Sequence, residues 1–195
     1  GAIVGTTFMA VDPNVQTAVL NVPGGGIARL LEGSPTFGPR IRAGLLAAGG
    51  PTQGTPDYDT FFGAAQTVID SSDPINFALP ANAGLLGSKN LLLQEVVGGG
   101  SSPPDQVVPN TVAGAPLSGT EPLIRILGVS SITGTTQSAN GIRGAVRFLV
   151  GDHGSLLSPA ASAAATTEMQ GEMASMIVSQ GTAVQVANPS VIRTQ

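Results

Sequence analysis

The sequence predicts an α/β fold, a mostly parallel sheet flanked by helices. Three observations point there. The runs "VQTAVLN", "NLLLQEVV" and "GAVRFLV" read as buried strands, apolar along their length rather than alternating. They are separated by segments of helical period that stop at Gly or Pro. Alternation of strand and helix is the pattern of a sheet covered on both faces, and a chain of 195 residues with 42% apolar content is enough for one such domain.

Each element follows in order. Residues 1–10 are small and apolar, with Gly1, Ala2 and Gly5 spaced so that a short helix can lie close to a neighbouring backbone. The first strand ends in Pro23 and three glycines. From 26 to 88 the chain turns to helical pieces, "GIARLLEG", "PRIRAGLLAAGG" and "DYDTFFGAAQTVIDSSDP". Ile27, Leu30 and Leu31 recur at helical spacing there, as do Phe61, Ala64 and Ala65. This insertion holds Phe37, Phe61, Phe62 and Phe77, four of the six phenylalanines, and serves either as extra core or as a cap over a pocket. The second strand, "NLLLQEVV", runs into a Gly/Ser/Pro loop carrying Asp105. "EPLIRILG" predicts a short helix with Glu121 in its first turn, and a Thr/Ser/Gly-rich connection over 130–141 leads to the third strand. His153, the sole histidine, comes three residues after Val150. A long helix is expected from Pro159 to Gln180, with Met169, Met173, Met176 and Ile177 as a core-facing seam.

Composition excludes several functions. A net charge of −4 and only 10% charged residues offer no footprint for nucleic acid. With no cysteine there are no disulfides or thiolate metal sites, and one histidine with scattered carboxylates has no metal-ligand spacing. Asp57 and Asp59 in "DYD" could hold calcium weakly, although an acidic helix start explains them equally well. No cofactor is implied. No run reaches the roughly 18 apolar residues of a membrane helix. Lys89 is the sole lysine, and a surface of Ser, Thr, Asn and Gln leans towards a secreted protein. The chain opens on "GAIVGTTFMAV", without a methionine or a lead-in strand, which raises the expectation of a missing upstream segment.

Ligands of open α/β sheets sit outside the carboxyl ends of the strands. Loops leaving two neighbouring strands would bring Asp105 and His153 to that edge. An aspartate that accepts a hydrogen bond from Nδ1–H fixes the imidazole tautomer and leaves Nε2 to take a proton from a nucleophile. Asp152 adjoins His153 and normally points away from its ring; Asp70 and Asp73 in "VIDSSDP" are alternatives that also read as a helix end and turn. A histidine on a Gly-flanked loop is, on these residues alone, more often structural than catalytic. The two function classes left open are a hydrolase and a non-catalytic structural or interaction module, in which the apolar insertion packs on a partner protein.

Five ordered segments, "GAIVGTTFMAVDPNVQTAVLNVPGGGIARLLEGSPTFGPRI", "DSSDPINFA", "DQVVPN", "LSGTEPL" and "GDHGSLLSP", together resemble the carboxyl-terminal part of a bacterial extracellular lipase and esterase family. That family has the α/β-hydrolase fold and is related to the virulence-associated lipases of the Pla-1/cef type. The resemblance implies the carboxyl-terminal part of an α/β-hydrolase sheet, with 26–88 as a helical cap. It implies an acyl-ester substrate, with Asp105 as the acid and His153 as the base of a Ser-His-Asp triad. The nucleophile, expected in G-x-S-x-G on a strand-to-helix turn, has no match here: Ser101 and Ser102 are followed by Pro103 and Pro104. Gly1 and the helix after it resemble the end of that turn. The serine is therefore expected on an amino-terminal fragment that would be this chain's partner. Leu31, Phe61 and Phe62 are candidates to line an acyl pocket.

Overall fold

The computed structural model describes residues 1–78 and 86–194. Residues 79–85 of the predicted insertion lie outside the described residues. The order is α1 (Ala2–Val11), β1 (Thr17–Asn21), α2 (Ile27–Gly33), α3 (Gly38–Ala47), α4 (Pro56–Ile69), α5 (Pro74–Ala78) and β2 (Asn90–Val96). It continues with α6 (Thr120–Leu127), β3 (Ser130–Ser131), β4 (Thr136–Gln137), β5 (Arg143–Phe148), α7 (Ala163–Val178) and β6 (Ala183–Val184).

Four strands form one parallel sheet in the order β1-β2-β5-β3, while β4 and β6 make a small antiparallel pair apart from it. β2 is central and buried on both faces, as its unbroken apolar run requires. One face carries Leu92, Val96, Val146 and Phe148 onto Ala165, Met169 and Met176 of α7. The other carries Leu91, Leu93 and Ala145 onto Met9 of α1 and Leu123 and Ile124 of α6. These side chains are almost wholly withdrawn from water, each worth about 1.5–3 kcal/mol of transfer free energy for the larger ones.

The strands match the predicted runs to within two residues: β1 and β2 are trimmed, and β5 starts one residue earlier, at Arg143, and ends two earlier, at Phe148. The connection over 130–141 holds the short β3 and β4, which lack an apolar signal because three of their four residues are exposed and the fourth is only partly buried. The long helix starts at Ala163 rather than Pro159, where the Ser162 hydroxyl accepts from the Ala165 N–H and ends the preceding turn. Met169 and Met176 are buried as expected, but Ile177 is exposed and Glu168 and Glu172 occupy the buried face instead.

The insertion divides in two. Helices α2, α3 and α4 share a small cluster of Ala28, Tyr58 and Phe62, flanked by Ile41, Leu45, Ala65 and Ile69. Helix α5 instead adds Ile75 and Ala78 to the sheet core. Asp73 ties the parts together. Its fully buried carboxylate accepts from the N–H groups of Gly26, Ile27 and Ile75 and from Gln66 Nε2, capping the start of α2. Lys89 is buried too, and its ammonium donates to the carbonyls of Met9 and Asp12 at the carboxyl end of α1.

Candidate functional site

The site is built at the carboxyl ends of β2 and β5, where Glu95 lies beside Arg147 and Val96 beside Phe148. After β2 the chain reverses at Gly98, whose φ of +70° suits glycine; a Cβ there would meet the Ser102 carbonyl oxygen at 2.6 Å. The Asp105 N–H then donates back to the Val96 carbonyl at 3.0 Å, which pins the acid to the strand end. After β5, Gly151 has φ +108° and lies against Ser155. Asp152 accepts from the Gly154 N–H and the Ser155 hydroxyl, and that hydroxyl accepts from the Asp152 N–H. This closed turn occupies Asp152 and holds His153 at its tip.

The two side chains meet. His153 Nδ1 lies 2.8 Å from Asp105 Oδ2. Asp105 Oδ1 accepts from the N–H groups of Val107 at 2.7 Å and Val108 at 3.1 Å. A carboxylate loaded with donors acts as the acceptor towards the ring, so the proton of the neutral imidazole belongs on Nδ1 and the lone pair on Nε2. The Asp105 side chain is 1% exposed and that of His153 38%. The acid is sealed in while the ring faces open space.

Two cavities meet at the ring. One, of about 260 Å³, runs under the insertion and is lined by Leu30, Leu31, Phe37, Val107 and Val108 with Gly1–Ile3, Asn21 and Val22. The other, of about 510 Å³, lies along β1, α1 and the histidine loop, with Leu156 and Leu157 on its wall. Of the expected pocket residues, Leu31 lines the first cavity. Phe61 and Phe62 line neither. Phe62 is buried against Tyr58 inside the helical cluster, and Phe61 stacks edge-on to it, partly in water. Helical periodicity identified the apolar face of α4, but that face is turned to α2 rather than to the cavity. Phe37 takes the place predicted for them.

The other acids have structural occupations. Asp59 pairs with Arg29, Asp57 shares the first turn of α4, and Asp70 accepts from Gln66 and Asn76 at the helix end. Among the described residues no group of three or more His, Asp or Glu side chains is placed to hold a metal ion. No helix of the described residues is long and apolar enough to cross a membrane.

Polar residues that sequence reasoning passed over lie beneath the site. Gln94 and Glu95 sit side by side in β2, fully buried on opposite faces of the sheet. Glu95 Oε2 accepts from Asn110 in the acid loop, and Oε1 lies 3.0 Å from Arg147 Nε, which also grips Glu121. Burial and the Glu121 carboxylate push the Glu95 carboxyl up, and the Arg147 guanidinium holds Glu121 below its usual range. On the other face Gln94 donates to Glu172 Oε2 at 2.7 Å, and burial pushes Glu172 up to about 8. The signal for all this was the "QE" in an otherwise apolar strand, since two polar residues at the end of a central strand break the burial rule and such breaks concentrate at functional sites.

Fold and site together define an α/β protein with a buried acid, a half-exposed histidine and apolar cavities at the carboxyl edge of its parallel sheet. Comparison of the chain with family models, curated proteins and solved structures finds no match to any of the three.

Proposed function

We propose that this chain supplies the acid and base of a serine carboxylic-ester hydrolase of the α/β-hydrolase type, whose nucleophile comes from a segment docking beside His153. The observation that carries the reading is the 2.8 Å contact of His153 Nδ1 with buried Asp105, with the ring open to an apolar cavity. In this reading His153 Nε2 takes the serine proton as the oxygen attacks the ester carbonyl. It then gives that proton to the leaving alcohol, and Asp105 orients and stabilises the imidazolium. The cavity under the insertion takes the acyl chain, with Leu31 and Phe37 against it.

Two features support a docking segment. β1 ends the sheet, so its outer edge has free backbone groups. Beside it, α1 exposes Val4 at 72%, Phe8 at 51% and Val11 at 57%, an apolar stripe at helical spacing next to the larger cavity. A strand laid along β1 and leading towards Gly1 would cover this face and deliver a serine to His153.

Intact-mass measurement of the purified protein with fluorophosphonate labelling tests the proposal. The expected result is a labelled serine in G-x-S-x-G on a polypeptide bound to this chain or continuous with it. A folded preparation with no such serine and no labelling refutes it and favours the interaction module.

A further inference from the structure

The geometry points to Asn21 as a specificity-determining residue of this site: its Oδ1 is a fixed acceptor for a hydroxyl group held beside His153. The inference rests on the ester-hydrolase reading. Asn21 closes β1 and borders both cavities that reach His153.

Its orientation follows from the buried groups behind it. Gln94 Nε2 donates to the Met169 carbonyl at 3.0 Å and to Glu172 Oε2 at 2.7 Å, which uses both of its protons on acceptors. Gln94 Oε1 must therefore face the other way, towards Asn21. Asn21 answers with Nδ2, 3.2 Å from that oxygen and 3.6 Å from Met169 Sδ. A flipped Asn21 amide would set oxygen against oxygen. Oδ1 is thus the outer atom, and no donor among the described residues reaches it.

The backbone gives a second, independent observation. Val22, next in sequence, has φ +47°, a conformation that a β-branched residue adopts only when its surroundings impose it. Its N–H is held by the Gln94 carbonyl at 2.7 Å and its side chain is packed in the core. Gln94 therefore fixes Asn21 through its side chain and Val22 through its backbone. Strain kept at a cavity wall marks a position where geometry matters more than stability.

An acceptor beside a catalytic base recognises an O–H donor, which comes either from the water of deacylation or from a hydroxyl on the alcohol part of the ester. In the first case one water proton rests on Asn21 Oδ1 and the other passes to His153 Nε2 as the water oxygen bonds to the acyl carbon. The bond to the serine oxygen breaks and Nε2 returns its proton there. In the second case Oδ1 holds the free hydroxyl of a glycol-type ester during acylation.

The test uses the enzyme with its nucleophile in place, comparing acylation and deacylation of a p-nitrophenyl ester and of the 2-hydroxyethyl ester of the same acid. Asn21→Leu removes the acceptor with the same heavy-atom shape, and Asn21→Ala removes it without crowding. A fall of about tenfold in deacylation relative to acylation with both esters supports the water. A similar fall in kcat/KM for the hydroxyethyl ester relative to the p-nitrophenyl ester supports the alcohol. Folded variants in which both ratios stay within about twofold of wild type overturn the assignment. If neither variant folds, a crystal structure of the phosphonylated wild-type enzyme decides: a water or hydroxyl on Oδ1 supports it, and a bare or protein-bonded Oδ1 overturns it. Absence of ester hydrolysis in the wild type is a different failure, that of the underlying reading.

Discussion

Replacing Glu172 by glutamine should stabilise the protein, and increasingly so as the pH rises. Glu172 is fully buried between α7 and β2; burial, reinforced by the Glu168 carboxylate and opposed by the Gln94 bond, lifts its carboxyl from 4.5 to about 8. Between those values the native chain keeps a proton that the unfolded chain releases, so stability falls as the pH rises. Glu172's contribution is fully present below about pH 4.5, is lost at up to about 1.4 kcal/mol per pH unit above it, and levels off near pH 8. From about pH 5 to pH 7 the loss is roughly 2–3 kcal/mol, a large share of the stability of an ordinary domain. Glutamine has the same shape, keeps an oxygen for Gln94 and never ionises. Glu95 imposes a slope of the same sign in both proteins, so it cancels in the difference. Urea unfolding of wild type and Glu172→Gln at several pH values measures that difference directly. It should be near zero at about pH 5 and reach at least about 2 kcal/mol by pH 8. A difference that does not change with pH, or a variant less stable than wild type at pH 8, would refute the reasoning.

Three further outcomes are expected. In the enzyme with its nucleophile, Asp105→Asn should leave the fold intact and lower kcat by a factor on the order of 10⁴, because an amide that donates to the ring favours the wrong tautomer. Turnover near normal in a steady-state ester assay would remove Asp105 from the mechanism. Leu31→Trp should narrow the cavity of about 260 Å³ and shift preference from octanoate towards acetate esters by about tenfold or more, read as a ratio of kcat/KM values. Arg147→Met should cost about 1.5–3 kcal/mol in denaturant unfolding, since it takes the guanidinium's charged hydrogen bonds from the Glu121 carboxylate.

The sheet was legible because its strands are buried on both faces and so spell unbroken apolar runs, with β2 the clearest. The meeting of Asp105 and His153 was legible for a related reason: each follows such a run, and neighbouring parallel strands bring their carboxyl ends to one edge. What escaped has a common physical cause. The short β3, β4 and β6 pair through backbone groups that any sequence supplies, so they leave no pattern. Periodicity separates a helix's buried face from its exposed one without naming the neighbour, and Phe62 was therefore assigned to a cavity when it packs on Tyr58. Phe37, which does face the cavity, sits at the start of α3 where no period has yet been established.

The buried polar residues carry a different lesson. Gln94, Glu95 and Glu172 would each destabilise an ordinary core, and an apolar replacement of similar volume would often be neutral or better. All three lie behind the cavity edge of the sheet, with Gln94 and Glu172 behind Asn21 and Glu95 beneath Asn110 of the acid loop. Neither chain of contacts is needed to hold β2 in place, because its register is set by the ladders to β1 and β5. What these residues fix is the direction of side chains and loops just above them. The cost of their burial is therefore best understood as the cost of orientation, incurred on both faces of one strand under one histidine.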